Sequence, residues 1–261
     1  MTAVRPIDCN AFLGNWAFRR LRRNDAQELL AMMDHFGITQ ACVASADAIL
    51  YRDCHAGNEE IFEETRKHAD RFWLYATLNP AYAGWERDLA SCAERGFKAV
   101  RLYPYYHEYA LDGADASRII DAATEAGLPV SIPGRVVDVR QRHWMDTKKN
   151  LDVDQLIRVA GDHPNATFLL TEGLLNAPPG DDFWSKVRGV NVYVEMSRMT
   201  SVLANSIGTT IDELGADRML FGTGFPFKTP SPAFLKIQIL EADAAVKQQI
   251  LSENAKRLFG A

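Results

Sequence analysis

The sequence predicts an α/β protein built as a (β/α)8 barrel, on three observations. Short β-branched or apolar runs alternate with amphipathic stretches from end to end. Eight such units divide 261 residues into repeats of about 33, the size of a strand–helix unit. No Gly-x-Gly-x-x-Gly turn follows the first apolar run, which sets the open doubly wound sheet aside as the second choice. One domain over 1–261 is expected, since this length suits a single large α/β core.

Taken in order, Val4–Asn10 reads as the first strand. Asp25–Phe36 follows as a helix with Leu29, Leu30, Met33 and Phe36 at helical spacing, Asn24 as N-cap and Gly37 as the stop. Ala41–Ala46 is the second strand and His55–His68 its helix. Phe72–Leu78 is the third strand, before a helix over Trp85–Arg95 closed by Gly96. Lys98–Tyr103 is the fourth, before Asp115–Ala126 and Gly127. Pro129–Ile132 and Thr167–Thr171 are the fifth and sixth strands, with helices over Asp154–Ala160 and near Asp181–Val187. Asn191–Glu195 and Ser201–Leu214 form the seventh unit. Arg218–Gly222 is the last strand, backed by Ala233–Glu241 and Ala244–Phe259. Residues at the C-terminal ends of barrel strands, and the loops after them, carry the chemistry in such a fold.

The composition is that of an ordinary globular chain, 47% apolar and 24% charged. A net charge of −5 argues against a nucleic-acid partner, and no apolar run approaches the roughly 20 residues of a membrane span. No signal-peptide pattern opens the chain, and Cys9, Cys42, Cys54 and Cys92 lack C-x-x-C spacing. They read as reduced thiols of a cytoplasmic protein. A homo-oligomer stays open.

The stretch that organises the chain is Ile7-Asp8-Cys9-Asn10-Ala11-Phe12-Leu13-Gly14. Alternation along a strand puts Asp8, Asn10 and Phe12 on one face and turns Cys9 toward the helices. It resembles the strand-one motif D-x-H-x-H-x-G of the amidohydrolase-related family, metal-dependent hydrolases and decarboxylases on a TIM barrel. Further segments are similar to that family in order: Gly96–Pro104, Gly127–Pro133, His163 through Gly173, Gly215–Phe227 and Glu253–Gly260. The resemblance implies a metal held by two strand-one histidines, by histidines of strands five and six, and by an aspartate of strand eight. Here those places hold Asn10, Phe12, Pro133, Glu172 and Gly224. A catalytic zinc needs about three protein ligands and an open position, which these residues do not offer, so no metal and no cofactor is expected.

Other polar residues then have to make the site. The loop after strand five, from Gly134 to Asp146, is long enough to be functional, and Arg135 lies two beyond Pro133 on the inward register. Arg135 with Arg140 or His143 suits a carboxylate or phosphate. The plainer reading is a helical turn laced by Asp138–Arg142 and Arg142–Asp146 pairs. In strand four, Arg101 and Tyr103 alternate with residues that must pack on helices, so both point inward. His107, in the loop behind them, reads as exposed. Glu172 and Glu195 end adjacent strands, either close enough to drive their pKa values apart or neutralised by Arg101, Arg135 or Arg198. The facing of Glu195 is left open. Phe18 through Arg23 reads as a solvated run or a subunit contact, or else as positive charge over the mouth, and no thiol chemistry is expected. The expected site thus has Glu172, Arg135 and His143 as catalytic groups, with Asn10, Phe12, Arg101, Tyr103, Arg140, Glu195 and Arg198 against the substrate. The function expected is a metal-independent hydrolase or lyase for a small carboxylate-bearing molecule. The alternatives are an inactive relative that binds an anionic small molecule or a protein partner, and a relocated metal site on Glu172, Glu195 and His143.

Overall fold

The computed structural model describes residues 5–175, 177–201 and 204–260. Eight parallel strands follow chain order around one sheet: β1 (Ile7–Leu13), β2 (Gln40–Ser45), β3 (Phe72–Thr77), β4 (Ala99–Arg101), β5 (Val130–Pro133), β6 (Phe168–Thr171), β7 (Val192–Glu195) and β8 (Met219–Leu220). The last meets the first through backbone bonds from Cys9 N to Phe221 O and from Gly224 N to Asn10 O, both 2.8 Å, which makes the sheet a barrel. Between strands run α1 (Ala26–Phe36), α2 (Cys54–Thr65), α3 (Trp85–Glu94), a one-turn α4 (Pro104–His107), α5 (Ala114–Glu125), α6 (Val153–Asp162), α7 (Asp182–Arg188) and α8 (Ser206–Leu214). After β8 come α9 (Ser231–Ile239), α10 (Ala244–Gln248) and α11 (Asn254–Phe259).

The helices pack apolar stripes onto the barrel's outside. In α1, Leu29 and Met33 are fully buried, while Leu30 and Phe36 flank the same core. The cap of α1 is Asp25 rather than Asn24. The Asp25 carboxylate accepts from Glu28 N, and Asn24 instead ties its amide to the Gly14 carbonyl. The helix expected from Ser201 starts at Ser206, capped by Asn205; Val202 and Leu203 of that expectation lie outside the described residues, as does Val4 of the first strand. The expected last helix is interrupted at 249–253 by a wide turn. There Ile250 O accepts Phe221 N at 3.0 Å, so its carbonyl serves the barrel instead of the helix ladder. Asn254 then fastens β8 by donating to Ala216 O and Met219 O, each at 2.7 Å.

One irregularity sets the site. In β1 the pairing with β2 jumps between Asp8 and Ala11, a bulge that opposes two residues to one. Strict alternation therefore fails. Cys9 does not face the helices but joins Ile7, Cys42, Trp73, Tyr75, Leu169 and Leu220 in the barrel's interior cluster. Asp8 turns aside to the segment after β8, accepting from Thr223 N at 2.9 Å and from the Thr223 hydroxyl at 2.5 Å. Asn10 is left facing the C-terminal end of the barrel.

Candidate functional site

A buried polar network crosses the barrel just below its C-terminal face. Arg101, on β4, donates to Ser131 Oγ and to Asn10 Oδ1, each at 3.2 Å, and its guanidinium lies 5.2 Å and 4.8 Å from the ring centres of Phe12 and Tyr75. Asn10 Nδ2 donates in turn to Glu172 Oε1 at 2.7 Å and to Glu195 Oε2 at 3.0 Å. The amide thus relays between a cation on one side and two carboxylates on the other. Glu195 faces inward and is fully buried, and it also accepts from the Ser197 amide and hydroxyl.

The pKa values of the two glutamates shift in opposite directions. Burial raises the pKa of Glu172, but Lys228 and Arg198 outweigh it and hold the group below the usual value. Those cations sit at 2.7 Å and 2.6 Å from Glu172 Oε2. Burial raises Glu195, and the Glu172 charge raises it further, against the pull of Lys228 and the Ser197 bonds. Arg198, a mouth arginine, pairs with Glu172, and the pKa values of the two carboxylates shift in opposite directions.

Lys228 and Ser197 escape a reading of the sequence. Lys228 follows β8 by eight residues, and its Nζ bridges Glu172 and Ser197 Oγ, both at 2.7 Å. Gly224 makes this possible. At φ +71° a side chain there would be strained, and its Cβ would stand 2.5 Å from Glu172 Oε1 and 3.1 Å from the Lys228 stem. Gly222 likewise leaves room for the Glu195 carboxylate, 2.5 Å from where a Cβ would be. The signal is Gly224, a glycine where the resembling motif carries an acid, followed by a lysine four residues on.

Above the network opens a cleft of about 840 Å³ between the loops after β5, β6, β7 and β8. Arg19, Arg135, Arg140, Arg198, Lys228 and Lys236 line it, against one acidic residue, Asp138. Its outer wall is apolar, formed by Leu174, Leu235 and Ile239. Arg135 reaches Asp138 at 3.3 Å and is a quarter exposed, and burial followed by the Arg198 charge lowers its pKa. Arg140 bonds the same carboxylate at 3.0 Å from the outside, and Arg198 reaches it at 3.3 Å.

Three of the expected site residues therefore line the cleft: Arg135, Arg140 and Arg198. Glu172, Glu195, Asn10 and Arg101 lie beneath its floor, because Lys228, Ser197 and Arg198 cover them. Phe12 and Tyr103 belong to the apolar interior, under a layer of Trp16, Val136, Val137 and Phe227; the Phe12 and Phe227 rings meet edge to face at 5.1 Å. The Tyr103 hydroxyl has no partner among the described residues, and burial pushes its pKa up to about 12. His143 does not join Glu172 and Arg135. Its ring stacks on Phe18 at 5.6 Å and its Nδ1 takes the Met145 amide. The Asp138–Arg142 and Arg142–Asp146 pairs do not form either. The loop makes a three-residue 3₁₀ turn, Arg142 goes to Asn150, and Asp146 accepts from the Tyr106 hydroxyl. His107 is not exposed: burial lowers its pKa to about 4, and it lies 3.7 Å from the Cys54 sulfur. Burial pushes that thiol up to about 12, so the pair is neutral.

The sequence model of the amidohydrolase family matches residues 6–261. The chain belongs to the amidohydrolase family. Solved structures similar to this amidohydrolase include 5-carboxyvanillate decarboxylase from Sphingomonas paucimobilis (15% identity, 99% of each chain, TM-score 0.76). They also include 2,6-dihydroxybenzoate decarboxylase from Rhizobium (19%, 98% of each chain, 0.72). A third is dihydroxybenzoic acid decarboxylase from Polaromonas sp. JS666, which holds manganese and an inhibitor (17%, 98% of this chain and 96% of that, 0.75). At these identities the likeness is one of fold. No curated protein sequence matches the chain significantly. No helix among the described residues is long and apolar enough to cross a membrane.

Proposed function

We propose that this amidohydrolase is a hydrolase or lyase that works without the divalent metal of its relatives, on a small carboxylate-bearing molecule seated in the cleft between β5 and β8. The observation that carries the reading is the placement of the Lys228 ammonium over Gly224, bonded to Glu172 and Ser197. The donor set does not suit a divalent cation. Asn10 spends both ends of its amide on Arg101 and the glutamates, Glu172 is neutralised by two cations, and Phe12, Pro133 and Gly224 have no side-chain donor. Among the described residues, no three His, Cys, Asp or Glu side chains gather elsewhere to hold a metal.

Positive charge in the cleft does what binding requires. A carboxylate fits the fork of Arg135, and a carbonyl placed beside it would be polarised by the Lys228 ammonium. The Ser197 hydroxyl, held by Lys228 and Glu195, faces the same space. Glu172 and Glu195 act through these groups: the first pairs with Lys228 and Arg198, and the second, with its raised pKa, accepts from the Ser197 hydroxyl. A thermal-shift screen of small carboxylates, followed by turnover of the stabilising ones with and without chelator, tests the reading. Stabilisation with chelator-insensitive turnover is expected. Stabilisation without turnover of any hit makes the protein an anion-binding relative. About one metal per chain that turnover needs would refute the metal-free mechanism.

A further inference from the structure

Two lysines reach Ser197 from different elements, and only one has an acid beside it. Lys228 has Glu172 at 2.7 Å; burial and the Arg198 charge lower its pKa, and the Glu172 carboxylate pulls the other way. Lys236, on α9, donates to Ser197 O at 2.7 Å and to Met196 O at 3.4 Å and makes no ion pair with any described residue. A neutral amine has two N–H groups and one lone pair. The two carbonyls can take both hydrogens and leave the lone pair uncommitted, in a side chain that lines the cleft. Burial lowers the pKa of Lys236 to about 8, the Lys228 and Arg198 charges working with burial and the Glu195 and Glu172 charges against it. A lysine at that value presents roughly two orders of magnitude more free amine at neutral pH than one with the ordinary pKa of about 10.4.

We propose that Lys236 is a nucleophile that condenses with the ketone of an oxo acid bound in the cleft, giving a protonated imine. The inference rests on the anion-binding reading above and names its substrate class. The lone pair of Lys236 Nζ forms the C–N bond while the carbonyl π pair moves to oxygen, which takes the proton that the nitrogen gives up. A second proton carries that oxygen away as water, leaving an iminium. With a 3-oxo acid, the bond between the carboxylate carbon and C2 then breaks. Its electron pair moves into the iminium as an enamine, and carbon dioxide leaves. The enamine carbon takes a proton, and water hydrolyses the imine to release the ketone and restore the amine. The iminium is the electron sink that a Lewis acid would otherwise supply, and Arg135 lines the same cleft as an anchor for the acid group.

The test uses acetoacetate and pyruvate with sodium cyanoborohydride, peptide mass mapping, and thermal shift by each acid alone. The reduced adduct is expected on Lys236, and to be lost in Lys236→Arg, which keeps a cation against the same carbonyls. Trinitrobenzenesulfonate should label Lys236 at least tenfold faster than the surface lysines at pH 7, with an apparent midpoint near pH 8. Stabilisation by the acids without a trapped adduct overturns the imine and leaves the anion site standing. No stabilisation and no adduct, with Lys236 no more reactive than surface lysines, overturns both. Adducts spread evenly over surface lysines also overturn the proposal, as does an adduct that persists on another residue in Lys236→Arg.

Discussion

Replacing Lys228 by Met isolates the ion pair on which the site rests. Met keeps most of the stem that passes Gly224 and removes the ammonium. At 2.7 Å the Lys228–Glu172 attraction amounts to about 6 kcal/mol at an effective dielectric near 20, before the cost of desolvating both ions. Stripping one partner from a buried pair costs roughly 3–5 kcal/mol. Two features bring the figure down here: Arg198 still holds Glu172 at 2.6 Å, and the Lys228 side chain is 22% exposed, so water can follow the vacated ammonium. The expected loss is about 2–3 kcal/mol at pH 7. Its pH dependence has a definite sign. The folded pKa of Glu172 lies below its ordinary 4.5, so its ion pairs contribute fully above that value and are lost as pH falls through the folded one. Without Lys228 the folded pKa of Glu172 rises, and the variant's deficit should shrink between pH 7 and pH 4. Urea denaturation at both pH values, with Glu172→Gln and the double variant completing a cycle, measures this. A deficit equal at the two pH values, or singles that simply add, would show that Lys228 acts by packing and not by charge.

Restoring an acid at the strand-eight position should harm the fold. Gly224→Asp forces a side chain into a left-handed conformation against Glu172 and should cost about 2 kcal/mol or more without conferring tight manganese binding, checked by thermal melting and elemental analysis. Arg135→Ala and Arg135→Lys should each weaken a stabilising carboxylate by about 10- to 100-fold in titration calorimetry while the melting temperature of the free protein holds. If binding is unchanged, Arg198 or Arg140 is the anchor. Burial raises Asp8 from 3.8 to about 7, so the favourable contribution of its protonated form is complete below pH 4 and is lost as pH rises through 7. Asp8→Asn should flatten the stability profile over that window, and an unchanged slope would place the titration on another group.

The barrel was legible because its signals are local. Leu29 and Met33 at helical spacing, Gly37 after α1 and eight short apolar runs of the right pitch all report packing that each segment performs on its own against a shared wall. The family was legible in the same way, from motifs in order along the chain. The convergence of Asn10, Glu172 and Gly224 follows from strand order alone once the barrel is closed.

What only the tertiary structure decided is which side of the floor each polar group occupies. A single bulge in β1 turns Cys9 inward and sends Asp8 to Thr223, and no residue pattern marks it. Glu172 is an acid at a strand end in either case. It becomes a buried counter-ion, out of the cleft's reach, because Lys228 from one loop and Arg198 from another fold over it. Lys236 sits on a helix like many surface lysines, and its low pKa comes from burial and from the Lys228 and Arg198 charges that other elements bring to it. Sequence spacing carries the periodicity of single elements. Electrostatic state depends on distances of a few ångströms between elements far apart in the chain, and those are set only when the barrel closes.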